Sequence, residues 1–347
     1  MSSLRFPSEV PRIGLDEAAS SMALYAAWKD VRRKGGACGV DGVTVEQFGR
    51  RLERNLLDLE RRLREGRYEP DPLRFAAIPK DTPGKWRHLG IPIVRDRVVF
   101  HAVSTLLLER LDGIFAPCSF AYRPGRGIRE AIGAVSSLVR RGRVLVVFGD
   151  IRGCFDELDW DVLSAALRHW IADQGLRSLL NRAFRVPLVR NSRILRRFRG
   201  VPQGSPLSPV LANIYLDVFD REMLRRGYPL VRYADDWILP AESEREARLG
   251  LAAAGAVISL LRISLNKEKS GVVDLRRERV VFLGHALSAD GVDAAPKGWE
   301  RVRAAAEAYR NAPDEVERRR ARAHLCHLRG LYGQAGVFKR GGDDASR

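Results

Sequence analysis

The stretch LVRYADDWIL, residues 230–239, sets the reading of the whole chain. Leu230 to Arg232 and Trp237 to Leu239 are short, apolar and strand-like, and the residues between them include two adjacent acids. The pattern predicts a β-hairpin with Asp235 and Asp236 at its turn. An Asp-Asp pair alone more often marks a solvated turn, but apolar strand on both sides pushes this one toward a buried site. Working outward, the β-branched run Val144 to Phe148 predicts a buried strand ending near a third acid, Asp150, 85 residues before Asp235. On neighbouring strands the three would meet. Clustered carboxylates repel one another, and a hard divalent cation, Mg²⁺ or Mn²⁺, is the natural counter-charge. Two such ions ~4 Å apart can activate an attacking 3′-hydroxyl while stabilising a leaving pyrophosphate.

The charge of the chain favours a polyanionic partner. Sixty Lys and Arg oppose 43 Asp and Glu over 347 residues, a formal charge of +17, and nucleic acid is the leading candidate. An anionic membrane ranks second, because the longest apolar run, Leu251 to Leu261, is bounded by Arg248 and Arg262 and is too short to span a bilayer. The first residues lack the apolar core of a signal peptide. Cys38, Cys118, Cys154 and Cys326 form no CxxC pair, which predicts a reducing, cytoplasmic setting. His324, Cys326 and His327 fit no standard zinc spacing. Between Arg177 and Gly200 lie eight arginines and no acid. A solvated face is the plain reading; a surface that tracks phosphates is the sharper one.

Local patterns fill in the frame. Leu52, Leu56, Leu59 and Leu63 recur at helical spacing, closed by Gly66. The segment IPKDTPGKWRHLGIP, residues 78–92, reads as a basic hairpin or loop, and a further helical stretch runs from Asp96 to Leu111. Ser208-Pro209 opens a helix with Leu211, Ile214 and Val218 as its stripe, and Ser243 with Glu246 predicts a capping box for the alanine-rich helix beyond. The succession predicts an α+β fold, an antiparallel sheet with helices on one face.

Eight blocks, in order from Gly39 to Gly284, resemble those of reverse transcriptases of the group II intron-encoded lineage. They are GVDG (39–42), IPKDTPGKWRHLGIPIVRDR (78–97), FAYRPGRG (120–127), DIRGCFD (150–156), VPQGSPLSP (201–209), YADD (233–236), LNKEKS (265–270) and FLG (282–284), and their span is about 70% of the chain. The resemblance implies a right-hand polymerase: an N-terminal extension over 1–38, fingers over 39–115, a palm with interleaved fingers elements over 116–286, and a short helical thumb and tail over 287–347. It implies an RNA-directed DNA polymerase with Mg²⁺ or Mn²⁺ held by the catalytic acids Asp150, Asp235 and Asp236, together with Ile151. Arg74, Lys80, Arg87, Ile151, Gln203 and Lys269 are implied at the incoming nucleotide, where cations suit a triphosphate. Phe155 is implied to set a ring against the sugar, excluding a 2′-hydroxyl and predicting dNTP substrates; its plain alternative is a core aromatic. Nucleic-acid contacts are expected from Arg190, Arg193, Arg196, Arg197, Gly204, Phe282, Leu283 and Gly284.

The sequence also departs from the lineage. Phe100 stands where many intron enzymes have Gln, Ser270 replaces Thr, and His285 stands where an aromatic is common. About sixty residues follow Gly284, room for a thumb from Trp299 to Gln334, and neither a DNA-binding region nor a homing endonuclease is expected. The expected partners are an RNA template, a DNA or RNA primer and dNTPs, without a membrane. A structured non-coding RNA or CRISPR adaptation proteins could join them in a CRISPR module, an antiviral defence system or a remnant intron. Two other functions share these residues: a maturase-like RNA-binding splicing cofactor, and a metal-dependent nuclease. Phe155 and the three acids favour polymerase, since RNA binding needs none of them and a nuclease needs no ring that reads the sugar.

Overall fold

The computed structural model describes residues 10–79 and 84–332. Among them run strands β1 (Leu73–Pro79), β2 (Trp86–Ile91), β3 (Leu145–Asp150), β4 (Leu188–Arg190), β5 (Arg193–Leu195), β6 (Val231–Tyr233), β7 (Asp236–Ala241), β8 (Gly271–Asp274), β9 (Val280–Phe282), β10 (His285–Ser288) and β11 (Gly291–Ala294). They make three sheets, ordered β2-β1-β4-β5, β6-β7-β3-β8 and β11-β10-β9. With the packed helices this is an α+β fold. The chain divides into two compact units that alternate along the sequence. Unit 1 lies within Met1–Ala116, Arg152–Glu222 and Ile258–Ser264; unit 2 lies within Pro117–Ile151, Met223–Val257 and Leu265–Arg347.

In unit 2, the run predicted as a buried strand is β3, and it sits between β7 and β8 with both neighbours antiparallel. Alternation along the strands sends Val146 and Ile238 to one face, where helix Ile128–Arg140 packs Ala131, Ile132, Val135 and Val139 on them. Helix Glu244–Leu260 adds a second layer: a methyl on its Gly250 would lie 3.3 Å from Leu239, which points to the opposite face. Its N-terminus is only half the expected capping box. Ser243 Oγ accepts from the Glu246 N–H (3.2 Å), but the Glu246 carboxylate takes the Glu242 N–H and pairs with Arg143 instead of closing back on Ser243. Farther along, helices Pro296–Arg310 and Glu315–Tyr332 share a cluster of Val302, Ala305, Leu325, Leu328 and Tyr332 with Ala294 of β11.

In unit 1, the basic segment folds as the hairpin β1–β2, whose connecting residues 80–83 lie outside the described ones. β4 joins β1 in parallel, Leu73 opposite Leu188, so this sheet is mixed. Helix Leu52–Arg64 buries Leu56, Leu59 and Leu63 as its spacing predicted. Helix Ser208–Arg225 begins where Ser208-Pro209 placed it, although Ser208 Oγ donates to the Pro202 carbonyl (2.6 Å).

One buried acid ties the loop before β1 to helix Val94–Leu111. Asp96 is fully buried and accepts from the Tyr68 hydroxyl and from the Asp71 N–H (2.8 Å). Burial pushes its pKa up to about 6, against the opposing pull of the Tyr68 hydrogen bond and the Arg95 guanidinium. A carboxyl whose folded pKa is raised stabilises the fold most below its unfolded pKa, and that contribution is lost as pH rises through the folded value. Asn at this position can donate to Tyr68 Oη and accept from Asp71, as the protonated acid does. Asp96→Asn should therefore gain stability over the parent by about 2 kcal/mol between pH 4.5 and 7.5. Denaturant unfolding of both proteins across that range checks this; a difference that does not move with pH would mean that Asp96 is ionised throughout.

Candidate active site

The acids of unit 2 are placed by strand register. β3 ends at Asp150 and β7 begins at Asp236, and the two are direct cross-strand partners, so their side chains leave the sheet on the same face. Tyr233 pairs with Asp236, which leaves Ala234 and Asp235 as a two-residue turn, with Ala234 at φ +57. This left-handed backbone is uncommon for a residue with a side chain. The ladder runs past the turn, since the Ile151 N–H donates to the Asp235 carbonyl (3.1 Å). Ile151 itself is fully buried, leaving its backbone rather than its side chain for any ligand. Gly149 precedes Asp150 for a steric reason: a Cβ there would lie 2.3 Å from the Trp237 ring that crosses it.

The electrostatics follow from this crowding. Burial raises the pKa of Asp235, with the Asp150 charge adding to it and Lys269 and Arg232 opposing. Asp236 goes up to about 7, through burial first, then Asp235 and Asp150, with Lys269 again opposing. Lys269 Nζ stands 3.3 Å from Asp150 Oδ2, and Asn266 Nδ2 donates to the same oxygen (3.1 Å). Among the described residues no three His, Cys, Asp or Glu side chains form a closed metal-binding group. The donor chemistry nonetheless suits a hard divalent ion: the acids offer only oxygen, and the charge of Asp150 helps to raise the pKa of Asp235 and Asp236, a cost that a cation relieves.

Farther along unit 2, Leu283 and Gly284 form the turn between β9 and β10, at φ +51 and +78, the primed geometry of a tight hairpin. Phe282 is buried, and the Gly284 carbonyl accepts from Ala295 (2.9 Å).

Unit 1 gathers a second group of expected residues. The Val201 N–H donates to the Phe155 carbonyl (2.7 Å), Gln203 Nε2 donates to Asp156 Oδ2 (3.1 Å), and the Gly90 N–H of β2 donates to the Gln203 carbonyl (2.8 Å). Phe155, Gln203, Gly204 and the β1–β2 hairpin are thus joined. Gly200 makes this possible. At φ +79 its missing Cβ would lie 2.5 Å from the Asp156 carbonyl oxygen. Phe155 is half-buried rather than a core residue. Arg87 is exposed on β2, whereas Arg74 donates to the Cys38 carbonyl (2.8 Å), a structural bond. Lys80 falls outside the described residues.

The eight arginines of 177–199 separate into two groups. Arg177 bonds the carbonyls of Ile171 and Ala172, Arg182 that of Tyr68, Arg185 the Ser164 hydroxyl, and Arg199 the Glu157 carboxylate. Arg197 bonds the Phe184 and Val186 carbonyls, and burial lowers its pKa to about 10. These five are engaged by partners within unit 1. Arg190, Arg193 and Arg196 are exposed on or beside the hairpin β4–β5, at the outer edge of the sheet, with Ile194 64% and Phe198 82% exposed beside them. Sequence reasoning placed Arg197 with Arg190, Arg193 and Arg196 among the nucleic-acid contacts, and the structure bonds it inside the fold instead; that reasoning gave no role to Asn266, Gly149 or Gly200. The two glycines stand beside matched blocks, which was the available signal.

Comparison with known proteins matches these elements to one family. Residues 78–287 match the family described as reverse transcriptase (RNA-dependent DNA polymerase). Protein YkfC of Escherichia coli is 30% identical over 289 residues, 72% of this chain and 75% of that protein. Group II intron-encoded protein LtrA of Lactococcus lactis subsp. cremoris is 30% identical over 222 residues, 63% of this chain and 36% of that protein. The chain therefore spans little more than a third of LtrA. A telomerase structure from Candida albicans shares the fold, with a TM-score of 0.54 at 13% identity over 82% of this chain and 58% of that one. No described helix is long and apolar enough to cross a membrane. With the family match enclosing all three acids, Phe155, Gln203 and Lys269, the chain belongs to the reverse transcriptase family.

Proposed function

We propose that this chain synthesises DNA on an RNA template by metal-assisted nucleotidyl transfer. The observation that carries the reading is the register that puts Asp150 and Asp236 opposite each other, with Asp235 in the adjoining turn. Asp150, Asp235 and Asp236 would hold Mg²⁺, with the Ile151 backbone beside them. When bound, such ions polarise the 3′-hydroxyl and neutralise the leaving pyrophosphate. Lys269, already paired with Asp150, supplies positive charge at the same place. In unit 1, exposed Arg87 serves the triphosphate, the Phe155 ring reads the sugar, and Gln203 with Gly204 presents backbone to the nascent pair. The turn Leu283-Gly284 is assigned to the primer end. The reading stands on cDNA synthesis from a primed RNA template with Mg²⁺, and failure to extend any primed RNA with dNTPs would overturn it.

For the nucleic-acid surface, the proposal narrows to Arg190, Arg193 and Arg196 on hairpin β4–β5, with exposed Phe198 offering a face on which a base can stack. Replacing Arg193 and Arg196 with Gln should weaken RNA binding and flatten the log-log salt dependence by about one unit for each phosphate no longer engaged. Arg197→Gln should instead lower the melting temperature, because its guanidinium is bonded to carbonyls inside the fold. Binding titrations at several salt concentrations, with a melting curve for Arg197→Gln, check both statements; an unchanged slope for the double variant returns the hairpin to a solvated face.

A further inference from the structure

We propose that Asn266 is a positioning residue that sets the Asp150 carboxylate for a divalent cation, an inference that rests on the metal-dependent reading above. Asn266 opens a short 3-10 turn, Lys267–Lys269, and the segment grips the end of β3 several times over. Its backbone N–H donates to the Asp150 carbonyl (2.8 Å), and its Nδ2 donates to Asp150 Oδ2 (3.1 Å). The Ser270 hydroxyl donates to the Asn266 carbonyl (2.9 Å) and accepts from the Asp150 N–H (3.4 Å). The next residue, Gly271, is already in β8, paired with Phe148 of β3. The amide of Asn266 is therefore fixed relative to the strand that it serves.

The consequence lies in the two carboxylate oxygens. A carboxylate turns almost freely about its last torsion. Here Oδ2 is engaged by Asn266 and Lys269, while Oδ1 has no hydrogen-bond partner among the described residues. Asp150 thus presents one oxygen in a fixed direction. Lys269 alone could not impose this, since its flexible side chain is 66% exposed and its ammonium acts as a point charge. Asn266 is half-buried and bonded through its own backbone, so orientation comes from the amide and charge from the lysine. Partners of metal-binding side chains commonly carry this role, and losing one costs tenfold or more in metal affinity.

The test measures Mn²⁺ binding to the full chain without nucleic acid, by the electron paramagnetic resonance signal of free Mn²⁺. Asn266→Ala removes the amide, and Asn266→Leu removes its polarity while keeping its shape. Both should bind Mn²⁺ about tenfold more weakly with unchanged melting. In primer extension, the Mg²⁺ concentration for half-maximal rate should rise similarly, with most of the maximal rate recovered at saturating Mg²⁺. Lys267→Ala, exposed on the same turn, should match the parent. Parental Mn²⁺ affinity in both Asn266 variants would overturn the inference, as would a fallen maximal rate with an unchanged Mg²⁺ requirement. Asp236→Ala separates the two levels of argument: if it too binds Mn²⁺ like the parent, the metal reading itself fails, whereas if it alone loses binding only the role of Asn266 does.

Discussion

Primer extension on RNA should stop when Asp235 or Asp236 is changed to Ala, while affinity for the RNA stays within about twofold of the parent. The two halves of that expectation have different physical origins. In the proposed reaction a cation offsets charge developing on the attacking and leaving oxygens, and losing one of its carboxylates would forfeit several kcal/mol of transition-state stabilisation. About 4 kcal/mol is already a thousandfold in rate. Binding, on the proposed surface, draws instead on phosphate contacts from Arg193 and Arg196, which neither substitution touches. The removed carboxylates also sit where like charge raises their pKa, so truncating one relieves repulsion and should not unfold the chain. Single-turnover extension, filter binding and a melting curve on the same preparations read all three quantities. Full extension by either variant would sink the assignment of these acids to metal. A splicing cofactor without polymerase activity would show no extension in the parent either, with RNA binding intact throughout.

Phe155→Ala should admit ribonucleotides, shifting the ratio of rNTP to dNTP efficiency by about a hundredfold. A ring beside the sugar excludes the 2′-hydroxyl by contact repulsion, and removing it withdraws the repulsion without disturbing any bond that deoxynucleotides need. A loss of ~3 kcal/mol in discrimination corresponds to that ratio. Phe155 can serve in this way because it is only half-buried, with its backbone carbonyl tied to Val201. The position is fixed while part of the side chain remains available. Extension with dNTPs should persist at a reduced rate. Single-nucleotide incorporation with each sugar, in parent and variant under the same metal, decides the matter. A parent that uses both sugars equally, or a ratio that does not move, would make Phe155 a packing residue.

Much of the candidate site was legible because strands write their burial into the sequence with period two. The runs around Asp150 and Asp235 were apolar enough to place the acids at strand ends, and the β3–β7 register delivers two of them face to face. The helix at Leu52 was equally plain, whereas residues 78–92 read as a hairpin or a loop until the pairing of β1 with β2 decided between them. What could not be read was how polar groups are shared. Charge counting cannot tell an arginine that caps a helix with its guanidinium, as Arg197 does at Phe184, from one that faces solvent, as Arg193 does. Composition likewise gives no sign that Glu246 will prefer Arg143 to its own helix terminus, or that Asn266 will turn its amide to an acid 116 positions earlier. Those choices are made by tertiary neighbours, and nearest-neighbour patterns do not contain them.

The alternation of the two units along the chain bears on how the protein is made. Unit 1 takes its last segment from Ile258–Ser264, and unit 2 takes its first from Pro117–Ile151. A ribosome delivering the chain from its N-terminus therefore begins the second unit long before it can finish the first. Neither unit can close as an independent early product, and β3 waits for about ninety further residues before its partner β7 emerges to pair with it. During that interval its apolar edges are open to wrong partners, a hazard that falls on the very strand that carries Asp150. Synthesis rate and chaperone supply should therefore affect the yield of folded protein from an expression host.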